Sequence, residues 1–226
     1  MNRLGYDIET TGQDFDSLDQ KQQEYWLKWA GSDEEATELK TQTSFYPLTG
    51  QVVSIASLDP GTQKSEVYTI GKEKGIDEGN TKYLFFPDEK SVLTKFWEIA
   101  KNYHQFITFN GRTFDAPYLI IRSAINKIRP PIDLLGYRYK SIPHLDLADQ
   151  FAFFGAIRRH FPLHFYCKAF SIDSPKNKGI TGEDIPKLFK AGKSLTIARY
   201  CLLDVIATAK LLEYWDKYLS SDNIYT

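Results

Sequence analysis

The chain has 226 residues, of which 42% are hydrophobic and 15% aromatic, enough to form the core of one α/β domain over residues 1–226. It contains no apolar run near the roughly 20 residues of a membrane span and no signal-peptide pattern, and two cysteines are too few for a disulfide framework. We therefore expect a cytoplasmic protein without a membrane anchor. The formal net charge of −1 argues against nucleic-acid binding driven by bulk charge.

The charge is unevenly distributed. Residues 121–200 carry fourteen Lys and Arg against six acids, whereas residues 1–50 carry four against ten. Two solvated faces of opposite sign would explain this asymmetry. A metal-dependent enzyme that acts on a polyanion would also combine a carboxylate cluster with a basic half.

Alternating apolar and acidic residues from Leu4 to Glu9 predict a first strand. Residues 12–48 interrupt the α/β rhythm, and we interpret them as an insertion with one amphipathic helix, Gln20–Ala30, followed by a solvated acidic run. Three strands that fit a meander are predicted next, at Gly50–Ser57, Ser65–Ile70 and Lys82–Phe86.

From Asp88 onward the pattern alternates between helix and strand. Strands are predicted at Gln105–Phe109 and His144–Ala148. Helices are predicted at 88–100, with Asp88 or Ser91 as cap, and at 113–126, 151–162, 184–191 and 194–219, the last capped by Ser194. Residues 171–182 are predicted to form a basic loop. Together these elements predict an α/β fold, a mixed sheet of five to six strands with helices on both faces.

Two carboxylates, Asp7 and Glu9, are two residues apart on the first strand and therefore share one face. Such a pair repels unless a cation or a proton lies between its members. An edge strand with a solvated acidic face is the simplest explanation of this pattern alone.

Two further acids are candidates for the same site. Asp115 follows a strand and falls in the first turn of a helix, where the helix dipole alone would favour it. Asp204 lies midway along an apolar helix, four residues after Tyr200, and either a Tyr–Asp hydrogen bond or a polar site would account for it. If these acids converge with the first pair, they suit two Mg²⁺ or Mn²⁺ ions about 3.5–4 Å apart.

Three segments in order resemble the motifs of the DEDD superfamily of 3′–5′ exonucleases, in its Tyr-containing (DEDDy) sub-group. They are Asp7-Ile8-Glu9-Thr10-Thr11, Asn110 to Asp115, and Tyr200-Cys201-Leu202-Leu203-Asp204. Residues 49–55 and 178–182 also resemble stand-alone relatives of the proofreading exonuclease domain of family-B DNA polymerases.

The resemblance implies an RNase H-like fold and a two-metal-ion exonuclease that removes nucleotides from the 3′ end of single-stranded nucleic acid, DNA rather than RNA. The metal ligands would be Asp7, Glu9, Asp115 and Asp204. Tyr200 would orient the attacking water by hydrogen bonding rather than act as a full base, because a phenol with a pKa near 10 is protonated at neutral pH. The strand that carries Asp7 must then be central and buried.

Contacts to nucleic acid are expected from motif residues and from lysines of the basic half. These residues are Thr10, Thr11, Asn110, Phe114, Lys178 and Lys193. The aromatic residues between 151 and 166 stand among Arg158, Arg159 and Lys168, which suits base stacking and equally suits a core helix with exposed charged ends.

Two weaker metal-site candidates remain. His160, His164 and Cys167 have a spacing compatible with zinc, but no fourth ligand accompanies them. Asp146 and Asp149 could act as outer acids, although a helix-capping role for Asp149 is simpler. The alternatives to the exonuclease are a catalytically silent nucleic-acid-binding or adaptor module with the same fold, and an RNA-directed exonuclease. The sequence does not identify a polymerase partner.

Overall fold

The computed structural model describes residues 2–220. Within them one seven-stranded sheet is formed by β1 (Arg3–Gly12), β2 (Gly50–Asp59), β3 (Lys64–Ile70), β4 (Ile76–Glu78), β5 (Thr81–Phe86), β6 (Gln105–Thr108) and β7 (His144–Asp146). The helices are α1 (Gln20–Leu27), α2 (Asp33–Thr41), α3 (Glu89–Ala100), α4 (Asp115–Ile125), α5 (Leu147–Phe151), α6 (Leu163–Ala169), α7 (Ile185–Lys190) and α8 (Ser194–Tyr218). None of the helices in this part of the chain is both long and apolar enough to cross a membrane.

The sheet has the order β4-β5-β3-β2-β1-β6-β7 and is mixed, as predicted. It has seven strands rather than five or six, because the three-residue β4 adds an edge strand that the sequence pattern does not reveal. The predicted meander is correct for β2 and β3, which pair antiparallel. It is wrong for β5, which runs parallel to β3 because β4 intervenes and pairs antiparallel with β5.

Strand β1 is interior to the sheet, antiparallel to β2 and parallel to β6. The edge-strand explanation of its two acids is therefore excluded. Tyr6 and Ile8 are buried in a core with residues of α3 and α4. On the opposite face, a Cβ added to Gly5 would lie 3.4 Å from the Val205 side chain of α8. Helices therefore cover both faces, and α8 covers the face that carries Asp7.

Two helix predictions need correction. The helix predicted over 151–162 does not form: α5 ends at Phe151 and α6 begins at Leu163. Between them Phe153 and Phe154 adopt left-handed backbone angles (φ 48° and 52°) that an α-helix cannot contain. Helix α8 has the predicted extent, but Lys193 rather than Ser194 holds its N-cap position. Asp88 caps α3 as expected, accepting the Ser91 N–H at 2.8 Å.

The insertion forms two helices, α1 and α2, rather than one. Its acidic run is exposed, as predicted, and lies in α2, which Ser32 caps by accepting the Glu35 N–H. The Trp26 indole N–H donates to the Leu39 carbonyl at 2.8 Å and joins the two helices. The end of the insertion is attached to β1, where the Thr10 hydroxyl donates to the Ser44 carbonyl at 2.9 Å.

A buried carboxylate, Glu89, joins β2, α3 and α4. It is 6% exposed and accepts N–H groups from Val52 (2.7 Å), Arg122 (2.9 and 2.7 Å) and Asn126 (2.9 Å). These bonds hold the helix that begins at Asp115 against the centre of the sheet.

Glu89→Ala is expected to destabilise the protein by about 3–5 kcal/mol, because it leaves the Arg122 guanidinium buried without its counter-charge. Urea unfolding measures this loss. The control is Glu98→Ala, which removes a more exposed carboxylate 3.6 Å from Lys95 and should change stability by less than about 0.5 kcal/mol. An equal effect of the two substitutions would contradict the role of Glu89.

Candidate metal centre

The four predicted acids come from three elements. Asp7 and Glu9 lie on β1, on the face covered by α8. Asp115 is the first residue of α4, just beyond the end of β6, and Asp204 is in the middle of α8. Because β1 and β6 are parallel, the end of β6 brings Asp115 beside the second half of β1.

The structure brings these four side chains into one electrostatic cluster. Burial raises the pKa of Asp7 well above its ordinary value, and the charges of Asp115, Asp204 and Glu9 raise it further. Burial likewise raises the pKa of Glu9, with additional contributions from Asp204 and Asp115. Like charges raise each other's pKa in this way only when they lie close together.

Asp115 is 4% exposed and is held by the strand that it faces. Its Oδ1 accepts the backbone N–H of Ile8 at 3.0 Å. Burial raises its pKa to about 7, against the lowering effect of this hydrogen bond. Asp115 thus lies at the N-terminus of a helix, where the helix dipole favours an acid, and it also belongs to the cluster.

Glu9 and Asp204 complete the cluster from opposite sides. Glu9 is 8% exposed, and no residue in the described range 2–220 donates a hydrogen bond to its carboxylate. Burial raises the pKa of Asp204 to about 7, and the positive charge of Lys176 lowers it. Lys176, a lysine of the basic half of the chain, therefore lies close enough to Asp204 for its charge to act on that carboxylate.

Tyr200 lies on the same helix face as Asp204 and is 7% exposed. Burial raises its pKa above the ordinary phenol value, and the charges of Asp204, Glu9 and Asp7 raise it further. No Tyr200–Asp204 hydrogen bond is formed in the described structure, so the core Tyr–Asp pair does not account for Asp204. A neutral phenol beside carboxylates can donate one hydrogen bond.

Cys201 is a site residue that the sequence interpretation missed. Its Sγ lies 3.5 Å from the Asp7 carbonyl oxygen and 4.0 Å from Asp7 Oδ2. Asp7, Glu9 and Cys201 each offer a ligand atom, all within 4.8 Å of one another. The available signal was its place directly after Tyr200 in the third motif, where its apolar neighbours indicated a core thiol.

Asp146 and Asp149 stabilise the structure around the cluster. Asp146 accepts the backbone N–H groups of Asn110 (2.8 Å), Arg112 (2.8 Å) and Ala148 (2.9 Å). The cap of α5 is therefore Asp146, and the prediction that Asp149 is a cap is wrong. Asp149 instead pairs with Arg138 at 2.6 Å and Arg112 at 3.6 Å.

The residues predicted to contact nucleic acid differ in their exposure to solvent and in the contacts that their side chains already make. Thr10 and Thr11 are buried, and the Thr10 hydroxyl is engaged with Ser44. Asn110 is exposed, and its Oδ1 accepts the Thr113 hydroxyl at 2.8 Å. Phe114 packs on Tyr118, with ring centroids 5.3 Å apart. Lys193 is exposed, and the side chain of Lys178 lies outside the described part of the structure.

The zinc alternative gains no support. The ring of His164 is hydrogen-bonded to Ser174 through Nδ1 at 2.7 Å, and Cys167 is in the core with α8. In the portion of the chain with described side chains, the metal-compatible group is that of Asp7, Glu9 and Cys201.

The seven-stranded α/β architecture is RNase H-like, and the acid cluster lies on β1, just beyond the end of β6, and on the α8 helix that covers β1. The chain belongs to the family of predicted 3′–5′ exonucleases related to the exonuclease domain of PolB, whose sequence model matches residues 43–214. That match contains Asp115, Tyr200 and Asp204 and begins after Asp7 and Glu9.

Two polymerases are similar to the chain. DNA polymerase 1 of Sulfolobus acidocaldarius is 35% identical over 78 residues, which are 32% of this chain and 9% of the polymerase. The structure of the family B DNA polymerase from Pyrobaculum calidifontis matches with a TM-score of 0.59 and 19% identity, over 95% of this chain and 24% of that one. The chain therefore spans a quarter or less of the length of these polymerases, and the structural likeness shows the fold.

Metal-free protein is expected to lose stability as the pH rises from about 4 to about 7. Asp115 and Asp204 have pKa values raised to about 7, above the value of about 4 for an unfolded carboxyl group. Their protonated forms are therefore favoured by folding. The stabilisation is complete below the unfolded pKa and is lost as the pH rises through the folded one. Thermal unfolding in EDTA across this range measures the loss.

The matched variant is Asp7→Asn, which removes one charge from the cluster. At about pH 8 and without metal it should be more stable than wild type, because burial and the neighbouring carboxylates raise the pKa of Asp7 and thus penalise its charged form. Added Mg²⁺ should stabilise it less than it stabilises wild type. Glu38→Gln changes an exposed acid of α2 and should do neither. If Asp7→Asn destabilised the metal-free protein, the conclusion that the four carboxylates repel one another would be contradicted.

The two cysteine thiols are expected to be unreactive in the folded protein. Cys167 and Cys201 are both 0% exposed, and burial raises the pKa of each thiol, so the nucleophilic thiolate is scarce. Titration with dithiobis-nitrobenzoate should detect neither thiol in native protein and both in guanidinium. Rapid reaction of either thiol in the native protein would contradict its burial.

Proposed function

We propose that this protein is a metal-dependent 3′–5′ exonuclease that hydrolyses phosphodiester bonds at the 3′ end of single-stranded nucleic acid, with DNA preferred to RNA. The observation that carries the proposal is the convergence of Asp7, Glu9, Asp115 and Asp204, with Tyr200 beside them. The family supports the reaction, and the acid cluster supports its dependence on metal.

The chemistry of the donor set fits hard divalent cations. Four carboxylates supply oxygen ligands, which Mg²⁺ and Mn²⁺ prefer, and the carboxylate of Glu9 is buried without a hydrogen-bond donor among the described residues. Asp7, Glu9, Asp115 and Asp204 would hold two such ions. When bound, the ions would supply positive charge beside the attacking and leaving oxygens of a phosphodiester.

The residues around the acids have separate tasks. Tyr200 keeps its proton, because its pKa is raised by burial and by the neighbouring carboxylates, and it would orient the attacking water as a hydrogen-bond donor. Lys176, whose charge reaches Asp204, would attract the phosphate. The Ile8 N–H holds Asp115 and leaves its second oxygen for an ion.

The preference for DNA and the cytoplasmic location are proposed from other observations. The preference for DNA is supported by the polymerases to which the chain is similar. A cytoplasmic location is supported by the two free, buried cysteines, which suit a reducing compartment.

A 5′-labelled single-stranded DNA is expected to shorten stepwise from its 3′ end when Mg²⁺ or Mn²⁺ is present and to remain intact in EDTA. Asp7→Ala and Asp204→Ala should each lower the rate by about 1,000-fold or more, because they remove oxygen ligands. Tyr200→Phe keeps the ring and removes the donor, and should lower kcat by about 100-fold. Gel analysis of the labelled products measures these rates.

Glu38→Ala is the control and should leave the rate unchanged, because this acid is on the exposed surface of α2. Undiminished degradation by Asp7→Ala or Asp204→Ala would refute the assignment. Nucleic-acid binding without turnover by clean wild-type protein would instead favour the silent binding module. Faster shortening of a matched RNA would identify the RNA-directed alternative.

A further inference from the structure

An exposed aromatic surface lies outside the acid cluster. We call it the aromatic patch and define it as Tyr137, Tyr139, Phe153 and Phe154. The first three side chains are 64%, 61% and 53% exposed. Tyr139 packs on two other members of the patch: its ring centroid lies 5.6 Å from that of Tyr137 and 5.0 Å from that of Phe154. Grouped exposed aromatic rings of this kind mark interaction sites.

The backbone of the patch is strained. Phe153 and Phe154 are consecutive bulky residues with positive φ, and each such residue costs roughly 1–2 kcal/mol relative to a right-handed conformation. The strained turn points the Phe153 ring to solvent instead of continuing α5 into the core. Strain of this type persists where the rest of the fold enforces it, most often at binding sites.

The charge around the patch matches a polyanion. Residues 127–160 contain six Lys and Arg and three acids. Every one of the six bases is exposed. Of the three acids Asp133 is exposed, whereas Asp146 and Asp149 are buried and engaged in hydrogen bonds or ion pairs. Aromatic rings among exposed bases suit single-stranded nucleic acid, because every base has a face that stacks and every phosphate carries charge.

The patch is connected to the acid cluster through one carboxylate. Asp149 pairs with Arg138, which stands between Tyr137 and Tyr139 in the chain, and with Arg112, in the loop that leads to Asp115. Between that loop and residues 160–166 there is a cleft of about 450 Å³, bounded by Asn110 on one side and by Phe161 and Tyr166 on the other.

We propose that the aromatic patch and its flanking bases bind the single-stranded part of the substrate that lies 5′ of the nucleotide being removed. The proposal rests on the proposed function, which places the 3′ end at the acid cluster, so that the rest of the strand extends in the 5′ direction. Residues Arg158 and Arg159 contact phosphates, and Tyr137, Tyr139 and Phe153 stack with bases.

The test compares oligo(dT) of about 3 and about 15 nucleotides, because single-strand binding sites of OB-fold proteins span about 4–16 nucleotides and only the longer oligonucleotide extends well beyond the acid cluster. Fluorescence anisotropy measures affinity in EDTA at one fixed salt concentration, so that cleavage does not interfere. The double variant Tyr137→Ala/Tyr139→Ala should bind the long oligonucleotide about 10-fold more weakly than wild type and the short one equally well.

A second variant separates binding from folding. Phe153→Gly removes a ring and relieves a left-handed backbone angle, so it should weaken binding of the long oligonucleotide by about 5-fold while its unfolding temperature is unchanged or raised. The control is Trp29→Ala, which removes a ring that is 75% exposed but lies in the acidic insertion. It should leave both affinities unchanged.

The two proposals can fail separately. If wild type shortens the 3′ end while the patch variants bind the long oligonucleotide as wild type does, the patch proposal is overturned, and a protein partner becomes the occupant to consider. Equal losses on short and long oligonucleotides also overturn it. If the patch variants bind the long oligonucleotide more weakly but wild type cleaves nothing, the patch proposal is supported and the proposed function is refuted.

Discussion

The central constraint on this structure is the repulsion among four carboxyl groups that share one largely buried space. In the absence of cations, burial and mutual charge raise their pKa values, so the fold itself must hold together groups that would otherwise separate. It does so with a strand and a long helix. The strand that carries Asp7 and Glu9 is interior to the sheet, and the 25-residue helix with Tyr200 and Asp204 packs across it.

Asp115 is positioned by a short chain of backbone contacts. Asp146, at the end of β7, binds two N–H groups of the loop between β6 and α4, and the Ile8 N–H binds the Asp115 carboxylate directly. Asp149 adds a second connection, since its carboxylate pairs with Arg112 in the same loop and with Arg138, the neighbour in sequence of two patch residues. The loop thus depends on two acids that the sequence offered only as minor candidates.

Features that depend on local patterns could be predicted from the sequence. The alternation around Asp7 predicts a strand, and an Asp among apolar helical residues identifies Asp204, because each signal is contained in a few neighbouring residues. The parallel pairing of β5 with β3 could not be predicted, because three residues of β4 carry no detectable alternation. The break at Phe153 was hidden as well, since aromatic side chains do not favour left-handed angles.

The roles of several site residues also depend on tertiary contacts. Cys201 has apolar neighbours along its helix, and only the packing of α8 on β1 brings its thiol beside Asp7. The capping roles of Asp146 and Asp149 could not be separated by spacing, because both lie near the start of α5. Their assignment follows from where the Arg112 and Arg138 side chains lie, which no local pattern records.

The hydrogen bond from Ile8 to Asp115 makes one backbone amide sensitive to the occupancy of the site. Its proton lies on the central strand between Asp7 and Glu9, and its acceptor is an oxygen whose electron density changes when the carboxyl group binds a proton or an ion. The Ile8 amide resonance in a spectrum of nitrogen-15-labelled protein therefore reports the charge state of the cluster. Neither a substrate nor a chemical probe attached at the site is needed. Protonation and metal binding would be followed separately by their different chemical-shift changes.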